Sequence, residues 1–346
     1  MIVLIGATGE TSRRIIQYAM DQKVALRLAV RDIDAAKRKL AGLGEGFELC
    51  RVDANEHGSV VAVLGRGDVL LNAATPSGSL GHGLARAAIA ADANYVDFSG
   101  EVCDTLRLLQ ELDEDACDHR VTLCPGAGYS GATGDFAVRL ALQKMPDATA
   151  GVTGYFLGGY APSYGTLRSE MEILSHPSVI IENGILVKRN VLGSIRKIND
   201  RTLVERPLMD AVLVSRYHRF DSFGSGIDTP ADTAIQLAEM FTSTASGFET
   251  DAGRAEYLEK ISAVANTTVE EEPAHAGFVT AYLSRGAESV QAAVTSWPVY
   301  EQTARMAFFI SRELDDGGGR PVGFQAPSSI VSSIEGACAQ LGITPL

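Results

Sequence analysis

The first 125 residues alternate between short apolar runs and longer segments with helical spacing. The predicted strands cover residues 2–5, 24–30, 47–52, 68–73, 95–98 and 121–124. Between them, apolar residues at helical intervals and stretches rich in alanine, lysine and leucine predict helices. Strands that alternate with helices in this way indicate an α/β fold built on a doubly wound parallel sheet.

The pattern changes near residue 126. Strand-like alternation occupies residues 149–160, 203–220 and 278–293, and predicted helices cover 135–144, 167–175 and 233–244. Asn183-Gly184 lies between two apolar runs, which is typical of a β-hairpin. We therefore predict a doubly wound domain at 1–125 and a second α+β domain with a mainly antiparallel sheet at 126–299. C-terminal helices at 300–346 are expected to return to the first domain.

Composition and charge exclude several classes of protein. The chain has 30 basic and 43 acidic residues, a net charge of −13, which argues against a nucleic-acid partner. Its apolar runs have strand length and a strand is predicted from residue 2, so we expect neither a membrane span nor a signal peptide. Five cysteines without a CxxC pair favour reduced thiols in the cytoplasm. The histidines show no HxH or HExxH spacing, so no metal site is predicted.

A glycine-containing turn, GATGETS, follows the first predicted strand. Glycines at positions 6 and 9 allow a tight turn into a helix and let backbone N–H groups approach a pyrophosphate at the helix N-terminus. The expected cofactor contacts are Gly6, Thr8, Gly9, Glu10, Thr11 and Ser12, three of which add hydroxyl donors. A strand before the turn and a helix after it predict a dinucleotide site, the alternative being a tight turn without a ligand.

The end of the second predicted strand indicates which dinucleotide binds. An acidic residue at this position binds the ribose 2′-hydroxyl of NAD, whereas an arginine accommodates the 2′-phosphate of NADP. Arg31 comes first here and Asp32 follows, where it could instead cap the next helix. We therefore predict NADP(H), with Asp32 as the competing NAD-type ligand.

Residues at other strand ends complete the predicted cofactor groove, because ligands of parallel α/β sheets lie beyond the carboxyl ends of the strands. The predicted contacts are Asp53, Ala54, Ala73, Ala74, Thr75, Pro76, Ser99 and Gly100. The residues after strand three would lie near adenine, and the small residues after strand four would let the nicotinamide ribose approach. Asp97 and Glu101 are expected either to cap the helix near Val102 or to take part in catalysis.

Six segments resemble one protein family. They are GATGET at 6–11, AVRD at 29–32, VLLNAATPSGSLGHGLARAAIAADANYVDFSGE at 69–101, CPGAGYSGATGD at 124–135, SYGTLRS at 163–169 and YEQTARMAFFISRELDDGGGRPVGFQAPSS at 300–329. They are similar to saccharopine dehydrogenase-like reductases, a family that includes the NADPH-dependent trans-acting enoyl reductases of bacterial polyketide and lipid assembly. The resemblance implies a Rossmann-type domain and hydride transfer to a C=C or C=N bond.

Departures from the family pattern occur in the phosphate turn, where Ser12 replaces the third glycine, and on the substrate side of the predicted enzyme. The segment 128–135 lacks the family's first acid and its proline, and Tyr164 replaces a glycine. In the C-terminal turn, Phe324 replaces a valine and Ser328 an alanine. Cofactor binding should survive these changes, whereas the substrate and the proton donor are open.

A hydride transfer requires a proton source beside the acceptor. The candidates are Tyr129 and Ser130, which follow the sixth predicted strand, and Tyr164 in the second domain. No Tyr-x-x-x-Lys pair lies in the first domain, so the short-chain dehydrogenase mechanism fits poorly.

The sequence thus predicts an NADPH-dependent reductase of a small metabolite or a carrier-bound intermediate. Two alternatives stay open: a dehydrogenase of an amino-acid-derived secondary amine, and a non-catalytic NADP-sensing protein. A homodimer is compatible with a two-domain reductase, although no residue pattern requires one.

Overall fold

The structure, a computed structural model, describes residues 1–43, 46–74, 78–156, 162–198, 200–262, 277–316 and 320–346. Its strands are β1 (Ile2–Ile5), β2 (Leu26–Val30), β3 (Phe47–Arg51), β4 (Val69–Asn72), β5 (Asn94–Asp97), β6 (Thr122–Cys124), β7 (Ala150–Phe156), β8 (Ser178–Glu182), β9 (Ile185–Arg189), β10 (Ile195–Ile198), β11 (Arg201–Glu205), β12 (Ser222–Thr229), β13 (Gly277–Arg285), β14 (Glu288–Ser296) and β15 (Gly323–Phe324).

The helices in the same ranges are α1 (Glu10–Asp21), α2 (Ile33–Leu40), α3 (His57–Val61), α4 (Gly78–Ala90), α5 (Val102–His119), α6 (Ala132–Lys144), α7 (Tyr164–Leu174), α8 (Asp210–Val214), α9 (Ala234–Gly247), α10 (Asp251–Ser262), α11 (Val299–Asp315) and α12 (Ile334–Leu341), with a 3₁₀ turn at Pro327–Ser329. Within the ranges that the structure describes, no helix has the length and apolar character needed to cross a bilayer.

The chain divides into two compact units. The first unit consists of Met1–Ser99, Asp104–Ala132 and Tyr300–Ser333. The second consists of Gly100–Cys103, Thr133–Val299 and Ile334–Leu346. The division therefore differs from the three consecutive parts expected from the sequence, because both units are assembled from segments that are distant along the chain.

The first unit is built on a seven-stranded sheet. Its strand order is β15-β6-β5-β4-β1-β2-β3, and its pairings are parallel. The order reverses between β1 and β4, so that the chain winds outward in both directions from these two strands. All residues of β1 and β4 are buried, as expected for the central strands of a parallel sheet. The predicted doubly wound fold is thereby confirmed, and β15 adds a strand that the sequence pattern did not predict.

Helix α11 is held against α1 within the first unit. The Tyr18 hydroxyl donates to Glu301, and Arg305 Nε lies 2.6 Å from the same carboxylate oxygen. Arg14 approaches the other oxygen at 3.3 Å. Burial opposes ionisation of Glu301, but these hydrogen bonds and guanidinium charges hold the pKa of its carboxyl below the ordinary value. A charged anchor thus fixes α11 beside the helix that follows β1.

The second unit contains an eight-stranded mixed sheet. Six strands run in the order β10-β11-β12-β7-β13-β14, and the β8–β9 hairpin is attached to β12. The β7–β12 pair is parallel and the other described pairings are antiparallel, which confirms the predicted mainly antiparallel sheet. The predicted hairpin is also confirmed, since Asn183 and Gly184 have φ angles of 52° and 79°, as a type I′ turn requires.

The prediction of a strand-like segment over 203–220 is wrong beyond Glu205, where β11 ends. The next apolar run forms α8, in which Ala211–Val214 are fully buried. A short run that is apolar on every side shows neither helical nor strand periodicity, so its sequence could not separate the two structures.

The last thirteen residues belong to the second unit rather than to the first. The tail runs beside β14, where Leu346 and Ala293 exchange backbone hydrogen bonds of 2.7 and 3.2 Å. Thr295 N also donates to Thr344 O at 2.9 Å. Strand edges present unpaired backbone groups, and the tail satisfies those of β14.

A buried polar cluster lies beneath the second sheet. The Tyr155 hydroxyl donates to Asp210 Oδ1 at 2.7 Å, and neither residue is more than 1% exposed. A side chain at Gly134 would lie within 2.3 Å of both polar atoms, so glycine leaves the space that the pair occupies. Burial, together with the nearby Asp135 carboxylate, raises the pKa of Asp210 to about 7.

We expect the Asp210→Asn variant to remove part of the pH dependence of stability. In the unfolded chain Asp210 ionises near its ordinary value of 3.8, whereas in the folded chain it stays protonated until about pH 7. Wild-type stability should therefore fall as pH rises, by about 3 kcal/mol relative to the variant between pH 5 and pH 8.

Urea unfolding at both pH values measures this difference. Trp297, the chain's only tryptophan, lies in the second unit and reports its unfolding by fluorescence. Parallel pH profiles for the two proteins would contradict the prediction.

Candidate functional site

The turn between β1 and α1 is shaped for a phosphate group. Gly6 has a φ of +82°, and a Cβ atom on it would lie 2.6 Å from both Ala73 C and Ala74 N. Gly9 N donates to Gly6 O at 3.2 Å, and no described side chain caps α1. The first-turn N–H groups of a helix lack intrahelical partners, and here they stay available to an anion. The predicted phosphate turn thus has the geometry to hold a pyrophosphate.

Ser12 has a different role from the predicted hydroxyl donor to the ligand. It is 1% exposed, and its Oγ donates to Gly6 O at 2.9 Å. The hydroxyl braces the turn from inside the protein, at the position where the usual pattern has a third glycine. A contact from the Ser12 hydroxyl to phosphate is therefore not what the structure shows.

The other predicted residues of the turn are more accessible. Thr8, Gly9 and Glu10 are exposed, and Thr11 is half-buried. The Glu10 carboxylate lies 3.4 Å from Arg14 Nη2, one helical turn away. This ion pair offsets the negative charge that Glu10 would otherwise present to a phosphate group.

The competition between Arg31 and Asp32 is resolved by the helix that follows. Asp32 Oδ1 accepts a 2.9 Å hydrogen bond from Ala35 N and so caps α2. This bond, with the nearby Arg38 and Arg51 guanidinium groups, holds the pKa of Asp32 below its ordinary value. The capping interpretation of Asp32 is confirmed, and the exposed Arg31 is left at the end of β2.

Arg51 joins this basic end of the sheet and was missed by the sequence analysis. It is the last residue of β3 and pairs in register with Val30, directly before Arg31. The only available signal was its position at a strand end, and β3 could not be aligned with β2 without the strand pairing. Arg31, Arg38 and Arg51 thus form a basic group near the ends of β2 and β3.

Asp53, predicted near adenine, forms a local turn. Its Oδ1 accepts hydrogen bonds from Asn55 N at 3.0 Å and Asn55 Nδ2 at 3.1 Å. These bonds, with the Arg31 charge, lower the pKa of Asp53. Asp53 and the next residue, Ala54, are half-buried at the end of β3, so both stay within reach of a ligand at this edge.

A chain of buried hydrogen bonds joins the ends of β4 and β5. Asn72 Oδ1 accepts from Ala74 N at 3.0 Å, and Asn72 Nδ2 donates to the Tyr95 hydroxyl at 3.1 Å. That hydroxyl donates to Asp97 Oδ2 at 2.9 Å. Asn72, Tyr95 and Asp97 are each at most 2% exposed.

Asp97 extends this chain of hydrogen bonds to the residues after β6. Its Oδ1 accepts from Ser99 N at 3.1 Å, from Ser99 Oγ at 3.0 Å and from Gly126 N at 3.2 Å. Burial raises the pKa of Asp97 above its ordinary value, although these donors and the Tyr95 hydroxyl favour the ionised form. Asp97 therefore organises the loops after β5 and β6, and it does not cap α5.

The remaining predicted cofactor residues have different outcomes. Ala73 and Ala74 are half-buried after β4, next to the phosphate turn. Thr75 and Pro76 lie outside the described residues. Gly100 belongs to the second unit, where an added Cβ would lie 2.9 Å from Ile173 Cδ1, so glycine at this position serves close packing against α7.

Tyr129 and Ser130 lie in a compact loop of the first unit. Tyr129 is 4% exposed, and its backbone N donates to Thr303 Oγ1 of α11 at 3.2 Å. Gly128 allows this approach, because a Cβ on it would lie 3.0 Å from Thr303 Cγ2. Ser130 is half-buried.

Tyr164 lies in the second unit, at the start of α7. Ser163 caps this helix by accepting from Thr166 N at 3.2 Å, and the Arg168 guanidinium lies 6.0 Å from the Tyr164 ring. Tyr164 is half-buried. In the described part of the chain, no group of three or more His, Cys, Asp or Glu side chains could hold a metal ion.

A doubly wound parallel sheet, an uncapped helix after its first strand and arginines at the ends of β2 and β3 define a Rossmann-type dinucleotide-binding protein. Residues 2–120 match the family model of the saccharopine dehydrogenase NADP binding domain. The first domain is thus similar to this NADP binding domain, and it binds NADP(H).

One solved structure supports the fold. Apo histidine-tagged saccharopine dehydrogenase (L-Glu forming) from Saccharomyces cerevisiae superposes with a TM-score of 0.59 at 11% identity, covering 100% of this chain and 99% of the other. Serine dehydrogenase from Escherichia coli covers 36% of this chain and 81% of its own, with 14% identity and a TM-score of 0.30. No curated protein sequence matches the chain.

We expect Arg31→Ala and Arg51→Ala to weaken the binding of NADPH selectively. Loss of a hydrogen bond from a guanidinium to a phosphate should raise the Kd for NADPH roughly tenfold in each variant. NADH lacks the 2′-phosphate, so its Kd should stay within about twofold of the wild-type value.

Fluorescence titration with both nucleotides measures the two affinities. Arg189→Ala is a matched control, because Arg189 is an exposed arginine of the second unit that pairs with Glu182. Equal weakening of NADPH and NADH would contradict the assignment of the 2′-phosphate to this pair of arginines.

Proposed function

We propose that this protein is an NADPH-dependent oxidoreductase that delivers hydride to a C=N or C=C bond of a small metabolite or a carrier-bound biosynthetic intermediate. The observation that carries the proposal is the combination, on one sheet edge, of the uncapped α1 N-terminus and the exposed Arg31 beside Arg51. This combination favours the phosphorylated cofactor, which in most cells is the reductant of biosynthesis. The family of the first domain supports redox chemistry.

Different residues of the first unit would bind different parts of NADPH. First-turn N–H groups of α1 would hold the pyrophosphate, and Arg31 and Arg51 the 2′-phosphate. NADPH would supply the hydride when bound. The small residues Ala73 and Ala74 would leave room for the nicotinamide ribose.

Proton delivery would come from a hydroxyl near the acceptor. We favour Tyr129, because its backbone is fixed by Thr303 and Gly128 and its ring is almost fully buried, which restricts competing exchange with water. Its Oη would donate the proton to the atom next to the one that accepts hydride. Tyr164 and Ser130 are the alternative donors, and Tyr164 begins a capped helix that would hold its ring in place.

A second candidate function is the reverse reaction, NADP-dependent oxidation of an amino-acid-derived secondary amine. The end-to-end superposition with a structure described as a saccharopine dehydrogenase favours it over other oxidations. A non-catalytic NADP-sensing role is the third candidate, and the altered segment 128–135 keeps it open. The five cysteines, all of them among the described residues, form no disulfide, which supports the cytoplasm as the compartment of any of these functions.

A spectrophotometric screen tests the proposal. Purified protein and NADPH are mixed with panels of cyclic imines, of 2-oxo acids paired with amines, and of enoyl thioesters, and absorbance of the reduced nicotinamide is followed. Turnover on one panel assigns the bond type. Turnover only with NADP⁺ and secondary amines would favour the second candidate, and tight NADPH binding without turnover on any panel would favour the sensor.

We expect Tyr129→Phe to lower kcat by about 100-fold, because loss of a positioned general acid removes a contribution of that order. The Kd for NADPH should stay within about twofold of the wild-type value, since the phenol oxygen is assigned to the substrate. Stopped-flow turnover and nucleotide titration measure the two quantities.

Tyr164→Phe and Ser130→Ala are the comparison variants and should keep most of the activity. A large loss in Tyr164→Phe with none in Tyr129→Phe would transfer the donor role to the second unit. Unchanged turnover in all three variants would exclude these hydroxyls as proton donors.

A further inference from the structure

We propose that Asn72, Tyr95 and Asp97 are positioning residues that set the loops facing the nicotinamide half of the cofactor. This inference rests on the proposed hydride transfer, because it concerns the half of NADPH that reacts. None of the three was among the predicted cofactor contacts, although Asp97 was expected either to cap the helix near Val102 or to take part in catalysis. Each of the three side chains is buried beneath the loops that it holds.

Backbone hydrogen bonds hold only part of these loops: Ala73 N donates to Ile5 O at 2.9 Å, and Ala127 N donates to Asp97 O at 2.7 Å. The β4–β5 ladder ends at the pair Asn72 and Asp97, and the β5–β6 ladder ends at the pair Val96 and Cys124. Beyond these pairs the described residues Ala74 after β4, Ser99 after β5 and Gly126 after β6 lie outside the strand pairing. Only side chains or crossing backbone contacts can fix their positions there.

The buried hydrogen-bond chain Asn72–Tyr95–Asp97 fixes a residue in each of the three loops. Asn72 Oδ1 holds Ala74 N after β4, and Asp97 Oδ1 holds Ser99 N after β5 and Gly126 N after β6. The Tyr95 hydroxyl connects the two side chains by accepting from Asn72 and donating to Asp97. One phenol oxygen thus couples the loops after three neighbouring strands.

Through Ala74, the same hydrogen-bond chain comes next to the phosphate turn. Ala73 and Ala74 pack so closely against Gly6 that a Cβ on this glycine would lie 2.6 Å from their backbone atoms. This backbone contact does not involve the Tyr95 hydroxyl, so the phosphate turn would keep its position when that oxygen is removed. In parallel α/β sheets a dinucleotide spans the carboxyl edge on both sides of the point where the strand order reverses, here between β1 and β4. The adenosine half lies toward β2, so the loops after β4, β5 and β6 would face the nicotinamide half.

The hydrogen bonds among Asn72, Tyr95 and Asp97 leave these side chains little freedom to change position. Each polar atom is buried and satisfied by its neighbour, and an unsatisfied buried polar group is costly. Removal of the Tyr95 oxygen would leave both Asn72 Nδ2 and Asp97 Oδ2 without that partner. The side chains would then rearrange, and the loops that they hold would move with them.

The test compares two ligands on the same protein. NADPH engages both halves of the site, whereas adenosine 2′,5′-bisphosphate carries the adenine, the 2′-phosphate and one further phosphate but no nicotinamide. We expect Tyr95→Phe to raise the Kd for NADPH about tenfold. The Kd for the bisphosphate should stay within about twofold of the wild-type value. Calorimetry measures both affinities, and the fluorescence of bound NADPH reports the environment of the nicotinamide.

Tyr155→Phe is the matched control. Tyr155 in the second unit is as buried as Tyr95, and its hydroxyl also donates to a buried aspartate, at 2.7 Å compared with 2.9 Å. This variant should lose a similar amount of stability and leave the affinities for both ligands unchanged. It therefore separates a general loss of stability from a change at the cofactor edge.

A second variant, Asn72→Ala, removes the first member of the hydrogen-bond chain. It is used in addition, so that the test does not depend on the folding of one variant. It should produce the same selective loss of NADPH affinity. Equal weakening of both ligands, or unchanged NADPH affinity in the folded variants, would overturn the proposal. These binding results do not depend on a substrate, so a failed search for reductase activity would refute the proposed function and leave the test of the positioning chain intact.

Discussion

Backbone packs directly on backbone where the strand order of the first sheet reverses, and the cofactor edge depends on that contact. Gly6 can turn with positive φ against Ala73 and Ala74 only because it has no side chain. The close contact brings the turn after β1 level with the loop after β4. Ser12 braces the turn from behind, and the Asn72–Tyr95–Asp97 chain holds the other side. The two halves of the dinucleotide site are therefore parts of one packed arrangement.

Much of this unit could be predicted from sequence because its signals are local. Alternating strands and helices identify the doubly wound sheet, a glycine turn after a strand identifies the phosphate site, and an aspartate at a helix start identifies a cap. Asp32 illustrates the last case, since its side chain caps α2 as its position predicted. The same locality made the Asn183-Gly184 turn predictable.

The missed features depend on contacts between distant residues. Arg51 acquires a role only when β3 is placed in register with β2. Tyr95 looks like a core aromatic until Asn72 and Asp97 are seen at its hydroxyl. The buried run of α8 has no polar face to reveal its period. In each case the deciding contact joins elements whose pairing the sequence does not specify.

The division of the first unit among three chain segments has a consequence for biosynthesis. Helix α11 and strand β15 complete this unit, yet they are separated from its other segments by the whole of Thr133–Val299. A growing polypeptide therefore displays the exposed flank of β6 and the apolar side of α1 until α11 and β15 have also left the ribosome. Long-range closure of this kind is slow and leaves apolar surface open to aggregation, so the nucleotide-binding unit is completed only after the whole of Thr133–Val299 has been synthesised.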